Sequence, residues 1–539
     1  MAEGGDRGRG GWTPARSVAG KRNPWLIVGV ISIATFMVVL DSSIANVALA
    51  HIAGSLSASY DEATWVVTSF LVANAVIIPI SGWLADVIGR KRFYMISVAI
   101  FTISSFFCGL APSLTFLIIA RVLQGIGGGG LTPVEQSMLV DTFPPEKRGL
   151  AFAAYGIVVI VGPILGPTIG GWITDNYSWH WVFLINVPIG IISLALTTVF
   201  VDEPKAIQDH RKEILRDGLR VDYLGFAFTA LFLGCLEVTL DRGQRDDWFT
   251  SPTIIACTAA AVLALASLIP WELSRKDPIV RIAMFGRRNF GISSILMLVM
   301  GMVIFSSTQF IPQLLQEVMG YTATDAGMAL TLGGVATFLV MPLAGILSNR
   351  ADLRILIGGA FLLQGFALWH MSQLDAQMSF WDAAIARMYQ AIGLPFLFVP
   401  ITNIAYVGLK PEESNQASAL LNVSRNLGGT IGIAAVQTML QRREQVHQAR
   451  FAETLNPLNP NYRFGIQRMT DALMAHGHSQ IVSAQAAVAL LYRRMLQQAA
   501  IVSYIEIFHI LMIVVFCAVP FALFLRKPSK DSPAVEVAP

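Results

Sequence analysis

Charged residues are scarce in this chain: Asp, Glu, Lys and Arg make up 14% of its 539 residues, while 54% are hydrophobic. A soluble domain carries roughly 25% charged residues. A buried core does not account for the deficit, because the apolar residues come in blocks of about 20, the length that crosses a ~30 Å hydrocarbon layer. The formal net charge is only +3, and no basic run is interleaved with aromatics, which argues against a nucleic-acid partner. Cysteine is rare too. The four (Cys108, Cys235, Cys257, Cys517) all fall inside apolar blocks without metal-ligand spacing and read as small hydrophobes. His370 and His509 have no ligand partner at i+3 or i+4, and His476 with His478 alone is weak evidence for metal, so neither metal nor cofactor is expected. No G-x-x-x-x-G-K-[ST] is present, the only Gly-Lys pair being Gly20-Lys21, so the chain has no ATP motor of its own. Gly125-Ile-Gly127-Gly-Gly-Gly130 satisfies G-x-G-x-x-G but lies within an apolar block with no βαβ context. No nucleophile–base pair stands out, which argues against an enzyme.

What is present is a series of long apolar blocks. Read against charged or turn-rich breaks, they predict an all-α polytopic membrane protein with fourteen spans. These lie near 25–48, 63–83, 94–111, 114–138, 150–173, 182–201, 222–241, 253–273, 290–314, 326–347, 355–373, 381–408, 417–440 and 500–525. The Gly- and Arg-rich start lacks a cleavage-site pattern, so the first block reads as a retained span. Cytoplasmic loops hold the excess of Lys and Arg. With the N-terminus inside, cytoplasmic segments carry 26 basic residues and the short outside loops two, Arg242 and Arg245. Orientation is therefore N-in and C-in. The discord is the segment 441–499, with seven basic residues outside; long loops cross largely regardless of charge.

A parallel internal repeat runs through the chain. Arg121-Val-Leu-Gln124 recurs as Arg387-Met-Tyr-Gln390, Pro145-Glu146 as Pro411-Glu412, and Gly162 and Gly166 as Gly428 and Gly432, each 266 residues later. Gly82-Trp-Leu84 matches Gly345-Ile-Leu347 at 263. Parallel halves about a membrane-normal axis suit alternating-access transporters. The expected organisation is a cytoplasmic tail 1–24, a six-helix bundle 25–201, a linker with two extra spans 202–289, a six-helix bundle 290–525 that includes the outside loop 441–499, and a tail 526–539.

Gly82-Trp-Leu-Ala-Asp86-Val-Ile-Gly89-Arg90-Lys91-Arg92 lies between spans 2 and 3. Glycine there permits close helix approach, and Asp86 can pair with the basic cluster or a helix end in one conformation and release it in another. This segment resembles the signature loop of the major facilitator superfamily. In span 5, Gly162, Gly166, Pro167, Gly170 and Gly171 set small residues every four positions around a ladder-breaking proline, a helix that packs tightly and bends. That stretch resembles the superfamily's antiporter motif. Leu40-Asp41-Ser-Ser-Ile-Ala-Asn46-Val-Ala-Leu49, Leu240-Asp-Arg-Gly243, Trp271-Glu-Leu273 and Pro312-Gln-Leu-Leu-Gln-Glu317 are similar to the fourteen-span drug:proton antiporters of the EmrB and QacA type, nearest the EmrB branch. The resemblance implies proton-coupled export of small hydrophobic compounds, and hence antibiotic resistance. Export of a metabolite, fatty acid or siderophore on the same fold, or a membrane sensor, remains open.

Ionisable residues at membrane depth are costly and usually functional. At 1.5 Å per residue, Asp41 and Arg121 both lie about 10 Å inside the outer ends of spans 1 and 4. First and fourth helices face the central cavity in the superfamily, which implies that the two meet there and couple protons; a structural ion pair is the alternative. Asn46, Gln124, Arg387, Gln390 and Arg425 are further cavity candidates, the arginines alternatively serving as helix bridges. Glu237, Glu272 and Glu506 fall in or near spans, with no assigned part in coupling. In 441–499, Gln441 to Phe451 and Ser483 to Ala499 have helix-forming composition and extend spans 13 and 14, around a turn-rich tip Asn456-Pro-Leu-Asn-Pro-Asn461. By resemblance to the EmrB branch, this region docks a periplasmic membrane-fusion adaptor (EmrA-like) and, through it, an outer-membrane channel (TolC-like), placing the chain in a Gram-negative inner membrane.

Overall fold

A lipid-embedded backbone satisfies its polar groups within its own helices, and the computed structural model is built that way: no strand occurs among the described residues. Those residues are 23–203, 208, 216, 222–275, 278–373, 378–477 and 479–526. Nearly all of the expected tails, most of the segment 202–221 and His478 lie outside them, as does the side chain of Pro167.

Among the described residues, fourteen long helices follow in order: α1 (Pro24–Ser55), α2 (Trp65–Ile88), α3 (Arg90–Cys108), α4 (Leu114–Thr142), α5 (Pro145–Asn176), α6 (His180–Phe200), α7 (Tyr223–Arg242), α8 (Pro252–Ser274), α9 (Arg288–Val318), α10 (Ala323–Arg350), α11 (Leu353–Met371), α12 (Phe380–Ala405), α13 (Ser414–Thr454) and α14 (Gln480–Leu523). All but α5 and α13 are long and apolar enough, among the described residues, to cross a membrane. Local chemistry sets their ends. Asn23 caps α1 by accepting from the Trp25 N–H ahead of Pro24, and Ser379 with Asp382 forms a capping box on α12. Gly89, at φ +98°, turns the chain from α2 into α3.

Glycines set the helix spacing inside each half. A Cβ on Gly162 would stand 2.7 Å from Val39 Cγ1, and one on Gly170 3.1 Å from Ile44 Cγ2, so α5 lies directly on α1. In the second half, Gly428 meets the Leu298 carbonyl of α9, and a Cβ on Gly432 would lie 2.6 Å from Met302 Cγ. Gly171 faces open space.

α7 and α8 pair with each other, and α7 touches both halves. Asp241 accepts from the Thr68 hydroxyl of α2, and Glu237 accepts from the Thr430 hydroxyl of α13 at 3.2 Å. At 41 and 44 residues, α13 and α14 run to about 60 and 65 Å, twice a hydrocarbon layer. The segments 441–451 and 483–499 are thus continuations of these two helices. Arg443 and His447 of α13 both reach Glu506 of α14, at 3.3 and 3.2 Å. The short helix Pro460–Ala475 between them buries none of its residues.

Candidate functional site

Asp41 sits in the middle of α1, fully buried, and is held by side chains of two helices that lie far from it in sequence. Arg121 of α4 donates from Nη1 to Asp41 Oδ2 at 2.6 Å. Gln124, one turn further along α4, donates to Oδ1 at 2.9 Å, and Asn186 of α6 to the same oxygen at 2.7 Å. Arg121 is fixed in turn: its Nε donates to the Val66 carbonyl at 2.9 Å, and its guanidinium carbon lies 4.2 Å from the Phe70 ring centroid. Ser105 of α3 accepts from the Gln124 amide at 2.6 Å. Neither Asp41 nor Arg121 is exposed, so the pair stands inside the first half in this conformation. Taking one partner from such a pair strands a buried charge and costs about 3–5 kcal/mol.

The repeat reproduces half of this arrangement. Arg387 Nη1 donates to Ser307 Oγ at 3.0 Å and also to Gln390, and its Nη2 donates to Thr308 Oγ1 at 3.2 Å. Ser307 stands 266 residues after Asp41. The second half therefore keeps the Arg–Gln pair and puts a hydroxyl where the first half has its carboxylate.

The signature loop forms a seam between the halves. Asp86 accepts from the Asn415 amide, and Arg90 pairs with Asp141 while donating to Ser414 Oγ at 3.1 Å. A Cβ on Gly82 would stand 3.1 Å from Gln416 Cα. Lys91 donates to the Thr198 carbonyl at 3.2 Å. The pseudo-symmetric contact lies across the axis: Gly345 of α10 packs on Gly149 of α5, where a Cβ on Gly149 would fall 2.8 Å from the Gly345 carbonyl oxygen. Phe152 stacks on Tyr406 beside it, centroids 6.0 Å apart. At this end of the molecule the two halves are shut against each other.

Residues 31–433 match the model of the Major Facilitator Superfamily. The multidrug export protein EmrB of Escherichia coli strain K12 is 40% identical over 480 residues, covering 89% of this chain and 90% of that protein. The chain belongs to the EmrB branch of this superfamily. The fatty acid resistance protein FarB of Neisseria gonorrhoeae is 36% identical, covering 92% of this chain and 95% of its own length. Among solved structures, the human organic anion transporter MFSD10 shares the fold at a TM-score of 0.58 and 11% identity, over 92% of this chain and all of that one. The chain is a multi-pass inner-membrane transport protein and not an enzyme.

In this EmrB-branch protein the remaining candidates scatter. Gln390 is fully buried beneath Arg387, and Arg425 is half-buried, its Nε without a partner. Asn46 is exposed and donates to the Ser42 carbonyl at 3.1 Å. Five residues at 100° each turn it about 140° from Asp41, so the two occupy different faces of α1. Asn186 and Ser105 escaped sequence reading, because a lone amide or hydroxyl in an apolar run does not reveal its partner. Glu135 escaped as well: it lies inside the expected fourth span, fully buried, and its charge at membrane depth was the available signal.

Proposed function

We propose that this protein exports small lipophilic compounds, drugs and toxic amphiphiles among them, in exchange for protons. It does so as a fourteen-span carrier with both termini in the cytoplasm. The observation that carries the reading is the fully buried Asp41, which accepts from Arg121, Gln124 and Asn186 together. Protonation of Asp41 removes the charge that anchors Arg121 and leaves its donors seeking other partners. Occupancy by a proton is thereby tied to the packing of α1 against α4 and α6. The carboxylate belongs to the first half alone, Ser307 standing in its place in the second, so coupling is asymmetric. The signature-loop residues Gly82, Asp86, Gly89, Arg90 and Lys91, lying on the cytoplasmic side in this orientation, form the gate. Of the antiporter-motif residues, Gly162, Gly166 and Gly170 let α5 slide on α1.

The cargo is neutral or anionic rather than dicationic. Arg387 is bound by hydroxyls and an amide, and Arg425 of the same half has an unpartnered Nε, leaving positive charge at depth. A relative named for fatty acid resistance fits that cargo class. The long α13–α14 hairpin, with Leu458, Phe464 and Ile481 exposed, serves as the docking surface for a periplasmic adaptor and, through it, an outer-membrane channel.

The test is transport in proteoliposomes under an imposed pH gradient, with a panel of lipophilic anions, neutral compounds and cations. Wild type is expected to accumulate anions and neutral compounds against their gradient, and Asp41→Asn to bind them without accumulation. Uphill transport by Asp41→Asn would remove Asp41 from coupling.

A further inference from the structure

We propose that Glu135 is a second proton carrier of the exchange cycle, holding its proton while the signature-loop seam is shut and releasing it when that seam parts. This deepens the antiport reading above and rests on it. Glu135 lies in α4 beyond the break at Gly130 and is fully buried, as are its neighbours Thr35 of α1 and Tyr155 of α5. The Thr35 hydroxyl donates to Glu135 Oε2, and the Tyr155 hydroxyl lies 3.1 Å from Thr35 Oγ1, a short relay across three helices. Glu135 Oε1 has no partner, and no cation forms an ion pair with this carboxyl among the described residues. The titratable groups that face it are Tyr155 and Tyr94 of α3; Arg425 comes within electrostatic reach of Tyr155.

Asp41 has a guanidinium and two amides around it, whereas Glu135 has only neutral hydroxyls. An unpaired carboxylate in that setting costs several kcal/mol, and a neutral acid does not. The location gives the proton an exit. Gln136, the next residue, accepts from Asn422 across the seam at 2.8 Å, and Ser137 lies 3.1 Å from Ser414. Parting of the seam lets water reach Glu135. The carboxyl O–H bond breaks, water on that side takes the proton, and the carboxylate takes its next proton from water on the opposite side once that side opens. On α1, Thr35 is six residues, about 9 Å, from Asp41, so the two carboxyls form successive stations.

Infrared difference spectroscopy of the full chain in lipid reads this without any transported compound, since a protonated carboxyl has a C=O stretch clear of the amide bands. The spectrum of wild type at neutral pH minus that of Glu135→Gln is expected to show such a band, which cancels the contribution of the other buried carboxyls, Glu237 and Glu272; its absence from the difference overturns the proposal. Should that variant fail to fold, Thr35→Val removes the donor and is expected to shift the band while keeping it; an unmoved band overturns the assignment. Gly149→Ala, which wedges the seam, is expected to shrink the band in proportion to the parted population, and an undiminished band with a parted seam overturns release on opening. These readouts concern Glu135 alone, whereas absence of pH-driven accumulation by wild type would overturn the antiport reading.

Discussion

Replacement of Gly149 by alanine is expected to part the seam. The new Cβ would lie 2.7 Å from Asn349 Oδ1, 2.8 Å from the Gly345 carbonyl oxygen and 3.1 Å from Asn403 Nδ2. The asparagine amides can turn away, but the Gly345 carbonyl belongs to α10 and moves only if that helix moves. Overpacking of this kind costs about 1–3 kcal/mol. Alanine also raises helix propensity by up to about 1 kcal/mol, yet that gain is common to shut and parted states and cancels between them. The net effect is a shift of about 5- to 150-fold toward the parted state. Nitroxides at Arg92 and Arg350, both exposed near the seam, report it by pulsed dipolar spectroscopy. The four native cysteines must first be replaced. The long-distance population is expected to grow in Gly149→Ala and to stay put in Gly171→Ala, whose Cβ meets nothing within 4 Å. Coincident distributions for wild type and Gly149→Ala would refute the argument that the seam is sterically tight.

Asn186→Leu removes a donor 2.7 Å from a buried carboxylate and is expected to destabilise the protein by about 1.5–3 kcal/mol, read as a lower Tm in detergent; an unchanged Tm would mean that Gln124 and Arg121 suffice. Burial opposes the charge of Glu413, but the Arg287 fork at 2.6 and 2.7 Å and the Lys410 N–H outweigh it, holding this carboxyl below its usual range. A depressed value means that the pair contributes fully at neutral pH and is lost as pH falls through it. Glu413→Gln should therefore lower Tm at pH 7 and match wild type only in acid below the depressed range of this carboxyl; an equal deficit at both would assign the effect to packing. Replacing 452–480 with a short Gly/Ser linker is expected to leave proteoliposome transport intact while abolishing adaptor co-purification and drug resistance in cells. Retained co-purification would move the docking surface onto the membrane-embedded helices.

Much of the architecture is legible in the chain because lipid imposes it. Apolar blocks of spanning length, basic loops and the 266-residue offset follow from desolvation and gene-scale repetition, and need no knowledge of packing. Asp41 and Arg121 were recognisable for the same reason: charge at membrane depth is conspicuous. Their partners were not. Asn186 lies 145 residues from Asp41 along the chain, and nothing in its neighbourhood marks it as the donor that completes the site. The seam is likewise a product of folding. Gly149 and Gly345 look like ordinary small residues until the halves bring them together, and Asp86 with Asn415 is a contact across 329 positions. The repeat indicated which residues correspond, yet that Ser307 takes the place of Asp41 became visible only when Arg387 was seen to reach it. Sequence by itself determined what each helix buries and roughly how deep its charges lie, since both depend on local composition. Which polar group meets which was decided by tertiary structure, because a hydrogen bond depends on angles and distances of a few tenths of an ångström between helices that the chain order leaves far apart.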